Sequence, residues 1–262
     1  MITQAIILAR GLGTRMRRAE PTAQLDASQS AAAAAGQKAM MPVGDHPLID
    51  HLLSRCADAG ITRAAVVIAP EHEAMRAHLT AGGVRRVTVT CVEQLEPRGT
   101  ADAVFAARGV VHGDAIVLNG DNLYPVRALR VLASADAPAL VAFDAEALVR
   151  LGNIPAERVR AFAAVELDGD QLIGITERPA DGTAVRWVSM NCWALTPAII
   201  VACGEVAPSP RGELELPDAV RAAMAAGAVV RALRSSEPVL DLSQRGDVAT
   251  LALALRGAEC RP

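Results

Sequence analysis

Two stretches of this chain carry residue types suited to polyphosphate chemistry. The first is Gly11-Leu12-Gly13-Thr14-Arg15-Met16, directly after the apolar run 2–9. Glycines let backbone N–H groups approach phosphate oxygens without a side-chain clash, and a following helix or turn adds a favourable dipole. The spacing is not a dinucleotide fingerprint, because position 16 is Met where a third glycine is required. Nor is it a P-loop, since no Gly-Lys-Ser/Thr follows. In their place the loop holds a cation, Arg15, set to neutralise a triphosphate. The second stretch centres on Lys38, the only lysine among 26 Lys+Arg. An ammonium is a compact charge that sits on one phosphoryl oxygen, whereas a guanidinium prefers a flat two-point partner. A chain that otherwise uses arginine alone, yet places lysine near a phosphate cradle, points to a position needing a point charge. The bland alternatives are a plain glycine turn and a solvated surface cation.

These residues need a scaffold, and the sequence predicts one. Short β-branched runs at 2–9, 63–69, 85–92, 115–119 and 140–144 alternate with helical stretches at 46–59, 71–79 and 100–108. This rhythm predicts a mainly parallel sheet with right-handed crossovers, and ligands beyond the carboxyl ends of its strands. After about residue 150 the pattern changes: runs at 162–167 and 171–176 flank Asp168-Gly169-Asp170, a hairpin signal. A strand at 187–195, a helix at 216–226, a strand at 229–233 and a helix at 248–255 follow. Residues 1–262 read as one domain, with a nucleotide-binding half at 1–144 and an acceptor-binding half at 145–262. Segment 17–36, with alanine at every position from 31 to 35, fits either a helical excursion or a mobile flap.

Composition excludes several other classes. Hydrophobic residues make up 52% of the chain but aromatics only 2%, so the core must be aliphatic, as suits a sheet covered by helices. A net charge of −3 leaves no footprint for nucleic acid or an anionic membrane. Five scattered cysteines without metal spacing read as small core residues and predict a reducing, cytoplasmic location. No apolar run has the length of a membrane span.

The loop 7–16 and the stretch Lys38-Ala39-Met40-Met41-Pro42-Val43-Gly44-Asp45-His46-Pro47-Leu48-Ile49 together resemble the signature of sugar-phosphate nucleotidyltransferases. Further segments agree in order. Glu93-Gln94 with Pro97-Arg98-Gly99-Thr100-Ala101 is similar to the nucleobase loop, and Asn119-Gly120-Asp121-Asn122 to the metal-binding strand end. Glu177-Arg178-Pro179 resembles an acceptor motif, and 208–215 is similar to the glucose-1-phosphate thymidylyltransferase branch. Leu240-Asp241-Leu242 resembles a second metal-binding position. The resemblance implies a three-layer α/β fold, Rossmann-like, with a mostly parallel mixed central sheet and helices on both faces, and without a C-terminal hexapeptide-repeat domain. It also implies transfer of a nucleoside monophosphate from UTP, dTTP or CTP to a sugar 1-phosphate, with release of pyrophosphate.

The same resemblance assigns roles. Leu8, Ala9 and Thr100 would bind the nucleotide, Gly11, Gly13 and Thr14 its triphosphate, Gln94 its pyrimidine edge, and Gly99 its base or ribose. Arg15 and Lys38 would offset charge in the transition state. Asp121 and Asp241 would hold Mg²⁺, although a carboxylate at a strand end is also often a helix cap. Asn122, Glu177, Arg178 and Asn191 would bind the acceptor. A phosphate monoester is already ionised at neutral pH, so no general base is required. The partners expected are a nucleoside triphosphate and a sugar 1-phosphate, with a second copy of the chain left open.

Four features depart from the family pattern. Segment 17–36 is longer than expected, Arg178 replaces a lysine, Phe162-Ala163 stands where Tyr-Gly is usual, and Met190-Asn191-Cys192-Trp193 is unusual for a glucose 1-phosphate pocket. Three of the four lie on the acceptor side. That leaves room for a non-sugar acceptor of phosphocholine or molybdopterin type, or for a catalytically silent sugar-nucleotide-binding subunit.

Overall fold

The computed structural model describes residues 1–180 and 183–262. Its strands, in chain order, are β1 (Gln4–Leu8), β2 (Pro42–Val43), β3 (His46–Pro47), β4 (Arg63–Ile68), β5 (Thr88–Glu93) and β6 (Ala115–Asn119). They continue with β7 (Asn122–Leu123), β8 (Ala139–Asp144), β9 (Ala163–Asp168), β10 (Gln171–Thr176), β11 (Trp187–Leu195), β12 (Arg231–Ser235) and β13 (Leu240–Asp241). The helices are α1 (Thr14–Arg17), α2 (Ala27–Ala35), α3 (Leu48–Asp58), α4 (Glu73–Thr80), α5 (Thr100–Ala106) and α6 (Val126–Ser134). After them come α7 (Ala145–Leu151), α8 (Ala156–Val159), α9 (Pro197–Ala202), α10 (Leu216–Ala225) and α11 (Asp247–Ala254).

Nine strands form one sheet in the order β5-β4-β1-β6-β11-β8-β12-β10-β9. Side chains alternate across a strand: in β1, Ala5 and Ile7 enter one apolar cluster and Ile6 the other. The first cluster takes in Leu52 of α3, Leu129 of α6 and Leu251 of α11. Val104 of α5, Ile200 of α9 and Val220 of α10 belong to the second. Aromatic side chains are few, and the largest fully buried ones, Trp193, Tyr124 and Phe143, are the exceptions in an aliphatic interior.

The expectation of a mostly parallel sheet needs correction. The β5-β4-β1-β6 run is parallel, as is the β8–β12 pair. All other neighbours are antiparallel, because β11 runs against β6, β8 and β9, and β10 runs against β9 and β12. The sheet is therefore mixed. Strand β11 is buried along most of its length, and a strand apolar on both faces reads the same in either direction. The hairpin of β9 and β10, by contrast, is where its Asp-Gly-Asp turn places it.

Within segment 17–36, residues Ala27–Ala35 form the docked helix α2. Asp26 caps α2 by accepting from the Gln29 N–H at 2.8 Å, and the Gln29 side chain accepts from the Asp26 N–H at 3.2 Å. This reciprocal capping box satisfies two otherwise orphaned donors. At the other end Gly36 adopts φ +70, the left-handed conformation that closes a helix. Ala33 is fully buried in the first cluster, and Gln29 Nε2 donates to the Pro42 carbonyl at 3.1 Å. Among the described residues no helix is long and apolar enough to cross a membrane.

Candidate active site

The carboxyl ends of β1, β5 and β6 open on a cleft of about 650 Å³. Gly11, Gly13, Thr14 and Arg15 line one side. No atom lies within 4 Å of where a Gly11 Cβ would be, so that glycine faces open space. Gly13 is different: it starts α1 at φ +59, and a Cβ there would collide with the Gly36 carbonyl. The end of the insert thus presses against the glycine loop and holds its backbone in place. Gly13→Ala is expected to lower stability by roughly 2 kcal/mol, from left-handed strain plus this collision. Urea denaturation checks it, as a lower midpoint with unchanged slope.

Lys38 begins a single 3-10 turn, and its Nζ lies 2.8 Å from Asp121 Oδ2. Burial, the largest influence on this ammonium, disfavours its charge, but Asp121 and then Asp241 outweigh it and raise the pKa. Asp121 follows β6, and Asp241 ends β13. The β7–β13 ribbon brings them together, with Asp241 opposite Asn122 and the Leu242 N–H donating to the Asp121 carbonyl at 2.9 Å. Burial and then the neighbouring Asp121 push the Asp241 carboxyl up to about 6, against the pull of Lys38 and Arg158. Two neighbouring carboxylates lining one cleft suit a divalent cation, whose charge removes that mutual repulsion.

Asp241 is held firmly. Arg158 of α8 donates to Asp241 Oδ2 at 2.8 Å and to both oxygens of Asp247 at 3.0 and 3.1 Å. Asn153 pairs with the Asp241 backbone in both directions, at 2.7 and 2.8 Å. Asp247 in turn accepts from the Ser243 and Gln244 N–H groups at 2.8 and 2.9 Å. Arg15 reaches the same turn, donating to Ser243 Oγ at 3.3 Å.

The loop expected to meet the base is braced from two sides. Gly99 has φ +123, and a Cβ there would strike the Leu214 backbone. Leu214 N–H donates to the Arg98 carbonyl at 2.7 Å and its carbonyl accepts from Ala101 N–H at 2.8 Å. Thr100 Oγ1 accepts from the Leu216 N–H at 2.9 Å, so this hydroxyl positions α10 as well as lining the cleft. Gln94 is buried, and its Nε2 donates to the Gly99 carbonyl at 3.1 Å and to Asp102 Oδ2 at 2.8 Å. Buried Arg10 contacts the Gln94 and Leu95 carbonyls at 3.4 and 3.5 Å.

A family model described as nucleotidyl transferase matches residues 4–237. The chain belongs to the nucleotidyl transferase family. This nucleotidyl transferase is 27% identical to glucose-1-phosphate thymidylyltransferase of Streptomyces griseus, over 98% of this chain and 74% of that one. It is likewise 27% identical to UTP--glucose-1-phosphate uridylyltransferase AglF of Haloferax volcanii, over 93% of each. Its fold matches a UDP-glucose pyrophosphorylase complexed with UDP-glucose, with TM-score 0.77 at 16% identity over 99% of this chain and 100% of that one. The inositol-1-phosphate CTP transferase from T. maritima matches with TM-score 0.74 at 16% identity, over 99% and 98%.

At the far end of the nucleotidyl transferase cleft stand Asn122, Glu177 and Asn191. Asn122 is buried and its Nδ2 has no hydrogen-bond partner among the described residues, an unusual cost unless a ligand accepts from it. Burial, then Glu215, raises the Glu177 pKa. Asn191, at φ +52, has its side chain between Asn119 Oδ1 and Trp193 Nε1, each at 3.3 Å. Its amide therefore braces β11. Arg178 is exposed, at φ +45, and is not among the residues lining the cleft. Leu8, Ala9, Gln94, Gly99 and Thr100 all line it.

Sequence reading missed Arg10, Asp102, Asn153, Arg158 and Asp247. Arg158 is one arginine in a four-residue helix with no motif around it. Asp102 carried a signal, being an acid in the first turn of α5, but that signal alone reads as favourable helix electrostatics.

Proposed function

We propose that this nucleotidyl transferase moves a nucleoside monophosphate from a triphosphate to a sugar 1-phosphate and releases pyrophosphate, with Mg²⁺ held by Asp121 and Asp241. The observation that carries this reading is convergence: the glycine loop, Lys38 and both aspartates face one cleft at the carboxyl ends of β1 and β6. The names of the two curated relatives agree with it. The cation would supply charge neutralisation at the α-phosphate oxygens. Backbone N–H groups of the glycine loop and Arg15 bind the triphosphate, while Lys38 stands beside Asp121 to offset charge in the transition state. An acceptor phosphate oxygen forms the new bond to the α-phosphorus as the bond to the pyrophosphate oxygen breaks. No proton has to be removed.

For the base, Gln94 offers its amide oxygen, because both protons of its nitrogen are directed at acceptors. An acceptor fits the ring N–H of uracil or thymine and opposes the bare ring nitrogen of cytosine. For the acceptor, Asn122 and Glu177 are suited to sugar hydroxyls. Arg178, exposed and outside the cleft lining, does not join them. Free thiols at all five cysteines fit work in a reducing cytoplasm.

Pyrophosphate release, measured for UTP, dTTP and CTP against a set of sugar 1-phosphates with and without Mg²⁺, tests the proposal. UTP or dTTP should support Mg²⁺-dependent, acceptor-dependent release. Nucleotide binding without turnover for any pair would instead identify a regulatory binding subunit.

A further inference from the structure

We infer that Asp102 is the positioning residue that sets base choice, by locking the Gln94 amide with its oxygen toward the cleft. The inference rests on the proposed nucleotide site and extends it to a residue outside the cleft lining. A glutamine amide is ambivalent: turned one way it offers an acceptor, turned the other a donor. Only its fixed neighbours decide. Here Gln94 Nε2 lies 2.8 Å from Asp102 Oδ2 and 3.1 Å from the Gly99 carbonyl. Both are obligate acceptors, a carboxylate and a backbone carbonyl. Rotating the amide would place Gln94 Oε1 against two oxygens, with two hydrogen bonds lost and two repulsions gained.

The lock is itself held. Arg98, four residues before Asp102, places its Nη1 3.7 Å from Asp102 Oδ1, leaving Oδ2 for Gln94. Asp102 lies in α5, whose start is pinned by the Leu214 contacts to Arg98 and Ala101. The Gln94 backbone is fixed too, with its N–H donating to the Ile68 carbonyl at 2.9 Å. With backbone and amide nitrogen both committed, the remaining polar atom is Oε1, which accepts no hydrogen bond among the described residues although Gln94 lines the cleft. With Oε1 aimed at the ring N3 position, Asp102 would favour bases that present a ring N–H there over cytosine, whose nearest donor is its exocyclic amine.

Calorimetric titration of the full chain with UTP and with CTP, in the absence of acceptor, tests this independently of turnover. The wild type should bind UTP at least about tenfold more tightly than CTP, the equivalent of one hydrogen bond made against one opposed. Asp102→Ala should shrink that ratio by about tenfold, because only the Gly99 carbonyl then orients the amide. Asp102→Leu, which fills the space but offers no acceptor, should narrow the ratio as well and covers the case in which the alanine variant does not fold. A wild type with equal affinities, or a folded variant that weakens UTP and CTP alike and keeps the ratio, overturns the inference. Preferential UTP binding without pyrophosphate release for any acceptor overturns the proposed reaction alone and leaves this role of Asp102 standing.

Discussion

Lys38→Ala is expected to lower turnover by on the order of 100-fold or more, the scale for removing a preorganised charge that acts mainly in the transition state. In the structure Lys38 and Asp121 both line the cleft, with Lys38 Nζ 2.8 Å from Asp121 Oδ2. Without it one cation fewer offsets the charge of Asp121 and Asp241 against incoming phosphates. The unfolding midpoint should move little by comparison, since both partners keep some solvent contact and such pairs contribute little to folding. Lys38→Arg should fail to restore activity, because a planar fork beside one carboxylate oxygen cannot place a point charge on a phosphoryl oxygen. Single-turnover pyrophosphate release checks both variants. Turnover near that of the wild type in Lys38→Ala would remove this lysine from the mechanism.

The second large effect concerns the aspartate pair. Asp121→Asn and Asp241→Asn should each reduce turnover about 100-fold or more, and the double variant should be scarcely worse than either single one. Residues that act through one shared cation behave as a unit, so the second loss has nothing left to remove. Factors that multiply in the double variant would show two separate roles and end the shared-cation reading. The fold should survive, because Arg158 retains both oxygens of Asp247 when Asp241 loses its charge. Mg²⁺ titration of the nucleotide-bound protein provides the second readout: each single variant should need more Mg²⁺ for its residual activity.

The nucleotide side of this site was legible in the sequence because its signals are local. A glycine loop after a strand, a lone lysine and an Asn-Gly-Asp strand end occupy short windows, and the parallel β1 and β6 that carry the first and last of them are short apolar runs broken by turns. Hidden elements had weaker punctuation or were passed over. Helix α6 buries Leu129 and Leu132 at helical spacing yet begins on Pro125 with no side-chain cap. Helix α9 did carry a start signal: Thr196 accepts from the Ile199 N–H and Pro197 opens the first turn. Residue roles fared according to distance. Arg178 follows Glu177 in sequence, but a left-handed backbone at Arg178 turns it outward, which no composition reveals. Gln94 was recognised as a polar group near a base, whereas the atom it presents depends on Asp102, a contact made only in three dimensions. Division into halves at residue 144 also hides that Leu214 and Asp241 complete the nucleotide side.

Pairing of Asp241 with Asn122 dictates when the cleft is completed during synthesis. Asp121 leaves the ribosome with Lys38 already made, but its partner lies 120 positions further on. At about 5–20 residues per second, translation needs roughly 6–24 s to deliver that partner. Early in this interval β1 can already pair with β4 and β6, while the other edge of β6 waits for β11. What they cannot form is the paired-aspartate ledge. A stalled or truncated chain ending before β13 would therefore keep the glycine loop, Lys38 and the base loop's own residues while lacking Asp241. The ribbon that sets Asp241 opposite Asn122 is thus among the last parts of the cleft to be made.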